Sequence, residues 1–136
     1  MVKDAKLIKE VVVKAENKIG VLANISKLLA DHDINLDGVA GYAEDGQAVM
    51  MMVTDDNLRA TDALKKAGYK TVKESEAVIV ELVNKPGALK NLTARLAAEK
   101  IDLKYVYGTV CAEGCQSRIV LSTSNNEKAF VLFKER

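Results

Sequence analysis

The sequence predicts an α+β fold made of two tandem modules of the same design. This prediction is based on a long internal repeat, on the same order of strand-like and helix-like segments in each copy, and on a composition that is 49% hydrophobic but only 4% aromatic. A chain of 136 residues is long enough for one ordinary domain or two very small ones. The predicted domains are residues 1–74 and 75–136, here called copy one and copy two.

The internal repeat is clearest where Asn17-Lys18-Ile19-Gly20 recurs as Asn84-Lys85-Pro86-Gly87, which is an offset of 67 residues. The same offset pairs further positions: Leu22 with Leu89, Asn24 with Asn91, Leu29 with Leu96, Ile34 with Ile101, Leu36 with Leu103, Val39 with Val106, and Gly41 with Gly108. Later the offset becomes 69, pairing Gln47 with Gln116, Thr54 with Thr123 and Ala60 with Ala129. Copy two therefore carries an insertion of two residues around residues 111–115.

Each copy is predicted to run strand, helix, strand, strand, helix. In copy one these are strand 7–13, a helix from Val21, strands 34–43 and 47–54, helix 56–67, and then a fourth strand at 69–73. The Asp45-Gly46 pair between the middle strands is a strong hairpin signal.

Copy two repeats this order with strand 77–83, a helix from Ala88, strands 101–111 and 116–123, and a last helix after a capping-box pattern at residues 124–127. It has no room for a fourth strand of its own. The order βαββαβ followed by βαββα predicts antiparallel sheets with the helices on one face, the ferredoxin-like arrangement.

Composition excludes several classes of function. A formal net charge of +1 gives no electrostatic footprint for nucleic acid, and the central strands carry no aromatic ring on which a base could stack. No apolar run is long enough to cross a membrane, and no secretory signal is evident, so we expect a cytoplasmic protein. Cys111 and Cys115 are too few to complete a metal site, and we expect neither a metal nor a cofactor.

Catalytic patterns are also missing from the sequence. His32, the single histidine, is flanked by Asp31 and Asp33 at the polar end of a predicted helix, where a solvated terminus explains it better than general-base chemistry does. The chain contains no nucleophile elbow and no phosphate-binding loop. We therefore expect that the protein is not an enzyme.

The turn between the first strand and the first helix is the best candidate site in each copy. Free backbone N–H groups and the positive end of the helix dipole meet there, which suits a carboxylate. Gly20 and Gly87 would allow a ligand to approach the backbone closely. The same residues also suit a purely structural turn, in which glycine makes the bend and asparagine caps the helix, and the sequence leaves both interpretations open.

These residues resemble the ACT domain. The resemblance is carried by Asn84-Lys85-Pro86-Gly87-Ala88-Leu89 before a helix with Ile101-Asp102-Leu103 on a later strand, and by Asn17-Lys18-Ile19-Gly20-Val21-Leu22 with Ile34-Asn35-Leu36 in copy one. It covers about residues 7–134. More narrowly, the chain is similar to small stand-alone proteins that contain a pair of ACT domains and no enzyme.

The resemblance implies an amino-acid-binding regulatory protein whose ligand is held at interfaces between paired ACT-like domains, in a homodimer or higher oligomer. It implies ligand-binding residues in both loops and at the start of the second strand: Asn17, Ile19, Gly20, Val21, Leu22, Asn35, Asn84, Pro86, Gly87, Ala88, Leu89 and Asp102. Ile19, Val21 and Met51 favour a hydrophobic amino acid. The alternative is a constitutive regulatory subunit of an amino-acid biosynthetic enzyme, comparable to an acetolactate synthase small subunit, with no ligand of its own.

Overall fold

The computed structural model describes residues 2–109 and 116–134. Cys111 and Cys115, and the insertion around them, lie outside the described residues. The chain divides into two compact units, of which the copy-one unit is Lys9–Ser75 and the copy-two unit combines Met1–Ile8 with Glu76–Arg136. The described residues form ten elements, in chain order β1 Val2–Glu16, α1 Val21–Asp31, β2 Leu36–Glu44, β3 Gln47–Thr54, α2 Asn57–Lys66, β4 Thr71–Leu82, α3 Ala88–Ala98, β5 Leu103–Thr109, β6 Ser117–Thr123 and α4 Asn126–Lys134.

In the copy-one unit the strand order is β2-β3-β1-β4. β3 is antiparallel to both of its neighbours, with Met52 opposite Val11 on β1 and opposite Val39 on β2. The core combines one face of the sheet with the apolar sides of α1 and α2, and consists of Val11, Val13, Ile25, Leu29, Ile34, Ala48, Met50, Met52, Ala60 and Leu64. β2 is the edge strand of this unit, which matters for the site described below.

The hairpin between β2 and β3 follows the sequence prediction. Glu44 lies opposite Gln47, so the loop consists of Asp45 and Gly46 alone. Both loop residues have positive φ, 51° and 77°, as a two-residue hairpin of this twist requires. The Asp-Gly pair therefore fixes the register of β2 against β3, and with it the residues that β2 presents beside α1.

In the copy-two unit the strand order is β5-β6-β4-β1. The described part of copy two contributes three strands, as predicted, and the fourth is the first part of β1. Val2 and Ala5 are buried in the same core as Val78, Leu92 and Phe133. Residues 1–8, which the sequence assigned to the first domain, therefore group with copy two because their apolar side chains pack there. The predicted boundary at 74/75 lies one residue from the division after Ser75.

The 67-residue offset also extends to this strand, since it pairs Val2 with Tyr69 and Ala5 with Val72. Tyr69 and Val72 pack against the core of the copy-one unit, just as Val2 and Ala5 pack in the copy-two unit. Each long strand, β1 and β4, thus supplies the fourth strand of one unit and the first strand of the other. The residues on both sides of the predicted boundary, 74 and 75, lie inside β4.

The second helix of copy two begins one residue later than a capping box at residues 124–127 would place it. Asn125, not Ser124, accepts a hydrogen bond from the backbone of Lys128 at 3.0 Å, and Asp56 accepts one from Arg59 at 3.1 Å in copy one. The capping-box prediction for copy two was therefore wrong by one position. Among the described residues, no helix is long and apolar enough to cross a membrane.

Candidate ligand-binding site

The loop that joins β1 to α1 is bent by a glycine. Gly20 is the N-cap residue of α1 and has φ 89°, a left-handed conformation that other residues adopt only with strain. A Cβ atom built on Gly20 would find nothing within 4 Å. Glycine is therefore required here by the backbone conformation and not by crowding, and the start of the loop is held by a hydrogen bond from Asn17 N to Gly46 O at 2.9 Å.

The first turn of α1 presents backbone donors. Among the residues that the structure describes, no side chain caps this helix, so the alternative in which Asn17 caps it does not apply. Val21 N donates to Lys18 O at 3.2 Å and Asn24 N donates to Gly20 O at 2.9 Å. The N–H groups of Leu22 and Ala23 lie between these two, in the part of a helix that has no intrahelical acceptors. The first turn carries no acidic side chain, so the positive end of the dipole is not neutralised locally.

A cavity of about 370 Å³ lies between this first turn and the edge strand β2. Its lining is mostly small or apolar: Asn17, Val21, Leu22, Val39, Ala40, Gly41, Tyr42, Ala43, Ala48 and Met50. Asn17, Val21 and Leu22 were among the predicted site residues. The five residues from β2 and the two from β3 were not, because a one-dimensional pattern does not show which strand lies beside a helix end.

Met50 forms part of the cavity lining through its contact with Gly41. The two residues lie opposite each other across β2 and β3, and the Met50 sulfur is 2.7 Å from the point where a Cβ on Gly41 would stand. The missing side chain at Gly41 thus makes room for a flexible thioether beside the cavity. Met51, which was expected to favour a hydrophobic ligand, is not in the lining, because successive side chains of a strand point to opposite faces.

The structure does not bring all predicted residues of copy one together. Ile19 is fully exposed and Gly20 is exposed, and neither lines the cavity. Asn35 precedes β2, whereas the Asn17 loop lies at the other end of that strand, beside Gly46. Nine residues of β2 separate them, which is roughly 30 Å of extended chain.

Asn35 is held by its own neighbours. Its backbone N donates to Asp55 Oδ1 at 3.1 Å and its side-chain Nδ2 donates to Asp37 Oδ1 at 2.8 Å. Asp102 has the matching place in copy two, where its backbone N donates to Ser124 Oγ at 3.0 Å. In copy one the carboxylate therefore belongs to the residue that accepts, Asp55, which follows β3. In copy two it belongs to the residue whose backbone donates, Asp102, which precedes β5.

The loop of copy two has the same backbone geometry. Gly87 has φ 87° and caps α3, Ala88 N donates to Lys85 O at 3.2 Å, and Asn91 N donates to Gly87 O at 2.9 Å. Asn84, Pro86 and Leu89 are exposed, whereas Ala88 is buried. Copy two therefore repeats both the turn and a helix start that has no side-chain cap among the described residues.

The side chains around the second loop differ from those around the first. The positions that match Val21, Ala48 and Met50 hold Ala88, Ser117 and Ile119. The copy-two unit has a cavity of about 370 Å³ lined by Val2 and by five residues of α3, which are Ala88, Asn91, Leu92, Ala94 and Arg95. Of the predicted site residues, only Ala88 lines it.

His32 is at the C-terminal end of α1, away from the candidate site. Its Nδ1 lies 2.8 Å from Leu28 O, and its carbonyl accepts a hydrogen bond from Arg59. The side chain is exposed, in agreement with a solvated helix terminus. Within residues 2–109 and 116–134, no group of histidine, cysteine, aspartate and glutamate residues could hold a metal ion.

Solved structures with the same fold include proteins of regulatory type. The chain is 27% identical to protein BT0572 from Bacteroides thetaiotaomicron, with a TM-score of 0.88 over 96% of this chain and 89% of that one. It is 14% identical to the regulatory subunit of aspartate kinase from Thermus thermophilus in its ligand-free form, with a TM-score of 0.66 over 97% and 95%. The aspartokinase alpha and beta subunits give 15% identity and a TM-score of 0.67 over 97% and 95%.

No curated protein matches the chain. The family model that describes an ACT domain pair matches residues 6–135, which is nearly the whole sequence. The two loops, the duplicated βαββα order and the two fourth strands are the structural counterpart of that match. The chain therefore belongs to the ACT domain family, as an ACT domain pair.

Proposed function

We propose that this protein is a non-catalytic regulatory protein that binds an amino acid in the cavity between the first turn of α1 and β2. The observation that carries the proposal is this cavity, in which the backbone N–H groups at the start of α1 lie beside an apolar lining within one unit. Its volume of about 370 Å³ lies at the lower end of the range of small-molecule sites. The regulatory role is supported by the shared fold with the regulatory subunit of aspartate kinase.

The chemistry of the site fits a zwitterion. The N–H of Leu22 and the helix dipole suit a carboxylate. β2 is an edge strand, so alternate backbone carbonyls between Val39 and Ala43 point away from β3 and can accept hydrogen bonds from an ammonium group. The amide of Asn17 adds a further polar group on the loop side. The remaining surface is left for the side chain of the ligand.

A second copy of the chain would complete this site. If two β2 strands paired antiparallel at their free edges, the start of one strand would lie beside the end of the other. This arrangement would place Asn35 of the partner subunit near the Asn17 loop, which Asn35 cannot reach within its own unit. Leu22 and Val39 are exposed apolar residues beside that edge, and such pairing would cover them. Binding would then favour the assembled form, which is how a ligand alters a regulatory equilibrium.

A constitutive interaction subunit remains the second candidate. The exposed apolar pair Leu22 and Val39 is repeated at Leu89 and Val106 in copy two. Such a duplicated surface is also what a permanent protein partner would use, without any small ligand.

A thermal-shift screen with the twenty amino acids separates these two candidates. A ligand at a hundred times its Kd should stabilise the protein by about 2.7 kcal/mol. If at least one amino acid raises the unfolding temperature and also shifts the chain towards a dimer in sedimentation experiments, the proposal is supported. If no amino acid has an effect, the proposal of amino-acid binding is rejected and the interaction subunit is favoured.

A further inference from the structure

We infer that the copy-one cavity selects an amino acid with a neutral, apolar side chain and rejects amino acids with charged side chains. This inference is based on the proposed function and names the class of ligand that the same cavity accepts. It follows from the chemistry of the described lining, from the place of Met50, and from the contrast with copy two.

The described lining of the cavity contains no charged side chain. Of its ten residues, only Asn17 and Tyr42 have polar side chains, and Tyr42 is half exposed at the rim. Glu16 and Lys18 flank the loop but pair with each other at 3.5 Å in solvent, and neither belongs to the lining. A charged ligand side chain placed among these ten residues would lose water without gaining an ionic partner from any of them, which is unfavourable.

The part of the cavity away from the helix start is apolar and adaptable. Met50 is 6% exposed and its unbranched thioether lies over Gly41, while Ala48 beside it is 3% exposed. Methionine fills irregular space and rearranges at low cost, so it can fit aliphatic side chains of different lengths. We therefore assign to Met50 the role of a residue that determines specificity by contacting the ligand side chain.

Copy two does not offer the same surface. Ser117 stands at the position of Ala48 and is buried, and Ile119 stands at the position of Met50. Ile119 is branched at Cβ and has fewer rotamers than methionine, so it cannot adjust in the same way. Binding of an apolar amino acid is accordingly a property of copy one.

Calorimetric titration of the full chain with leucine, methionine, lysine and glutamate tests this inference. We expect leucine or methionine to bind at least about tenfold more tightly than lysine and glutamate, since neither charge is paired. Tight binding of lysine or glutamate, with weak binding of the apolar pair, would overturn the inference but leave the proposed function intact. Lack of binding by any of the four, followed by a negative screen of all twenty, would reject the proposed function itself.

Two matched variants test whether the selectivity for an apolar amino acid belongs to copy one. Val39 and Val106 occupy equivalent positions and are 46% and 47% exposed, so a lysine at either is tolerated by the fold. Val39→Lys adds a positive charge at the rim of the copy-one cavity, and we expect it to shift the ratio of the leucine Kd to the glutamate Kd towards glutamate by roughly tenfold. Val106→Lys should leave the ratio unchanged. A shift with Val106→Lys alone would place the site in copy two and contradict the inference.

Discussion

The sulfur of Met50 lies 2.7 Å from the point at which a Cβ atom on Gly41 would stand. The corresponding glycine of copy two, Gly108, is more tightly enclosed, because a Cβ there would meet Ile119 Cδ1 at 2.5 Å and the backbone oxygen of Arg118 at 2.8 Å. A side-chain end can move away, whereas a backbone carbonyl in a strand pair cannot do so without disturbing the sheet.

Replacement of the two glycines by alanine should therefore have unequal effects on stability. We expect Gly108→Ala to lower the free energy of unfolding by about 1–3 kcal/mol, and Gly41→Ala to lower it by less than about 1 kcal/mol. Urea denaturation of the two variants measures the difference. Equal losses would show that Met50 is as rigidly held as the backbone of β6, which would also weaken its role as an adaptable contact.

In each unit one asparagine joins the second helix to a strand through hydrogen bonds. Asn57 Nδ2 donates to Lys9 O at 2.8 Å and its Oδ1 accepts from Thr54 Oγ1 at 2.6 Å. Asn126 repeats this arrangement with Glu76 O at 3.0 Å and Thr123 Oγ1 at 2.8 Å. Either Asn→Ala variant removes the donor to the strand carbonyl and the acceptor of the threonine hydroxyl proton, although that hydroxyl still accepts from the backbone of Asp56 or Asn125. We therefore expect each variant to cost about 1–2 kcal/mol of unfolding free energy.

Denaturation curves of Asn57→Ala and Asn126→Ala test this expectation. Lys65→Ala, an exposed substitution in the last turn of α2, is the control and should be close to neutral. If both asparagine variants were as stable as the control, water would replace these contacts at no cost, and the repeated Thr-x-x-Asn pattern would not be a structural signature of the fold.

Gly20, which precedes α1 in a left-handed conformation, should be replaced at a lower cost in stability by asparagine than by alanine. Because a Cβ on Gly20 finds nothing within 4 Å, only the conformation at φ 89° opposes substitution. We expect Gly20→Ala to cost about 1–2 kcal/mol and Gly20→Asn less, since asparagine tolerates this region better. Thermal unfolding of both variants gives the comparison. A larger loss for asparagine than for alanine would contradict the assignment of conformational strain.

The ion pair between Asp4 and Lys134 predicts a dependence of stability on pH. The hydrogen bond from Lys134, with Nζ 2.7 Å from Asp4 Oδ1, lowers the pKa of Asp4 below its ordinary value of 3.8. The folded state therefore binds this proton less readily than the unfolded state does. The pair stabilises the fold above about pH 3.8, and this contribution disappears as the pH falls through the lowered pKa of the folded state.

Asp4→Asn should consequently be less stable than the parent near neutral pH, with a small difference because the pair is solvent-exposed. The difference should vanish in acid, and salt should reduce it at neutral pH. Chemical denaturation at a series of pH values provides the measurement. A constant difference down to pH values well below 3.8 would exclude the ion pair as its cause. In a Lys134→Met background, Asp4→Asn should have a smaller effect, because the backbone hydrogen bond from Ala5 and the charge of Lys6 still favour the carboxylate.

Much of this fold could be predicted from the sequence. The 67-residue offset revealed the duplication, and the Asp45-Gly46 pair fixed the β2–β3 hairpin. The origin of the fourth strand in the copy-two unit was not predicted. Val2 and Ala5 occupy the positions of Tyr69 and Val72, but the residue types differ because the side chains in the copy-two core are smaller at both positions. The repeat is therefore not visible as sequence identity in this strand.

The candidate site was predicted only on its loop side. Asn17, Val21 and Leu22 follow directly from the pattern before a helix, whereas Val39, Gly41 and Met50 enter only when β2 is seen to run beside that helix start. The choice between Met50 and Met51 depends on which face of β3 meets the helices. Within an apolar run such as residues 48–53, the sequence has no alternation that could show the face.

The methyl resonance of Met50 shows directly whether an amino acid binds in the copy-one cavity. The chain has four methionines, so a sample with labelled methionine methyl groups gives few signals, and single Met→Leu substitutions assign them. On titration with an amino acid that raises the unfolding temperature, we predict the largest change in chemical shift at Met50 and a much smaller one at Met51, whose side chain points to the other face of β3. If such an amino acid stabilises the protein but leaves the Met50 signal unmoved, ligand binding occurs elsewhere and the copy-one cavity is not the site.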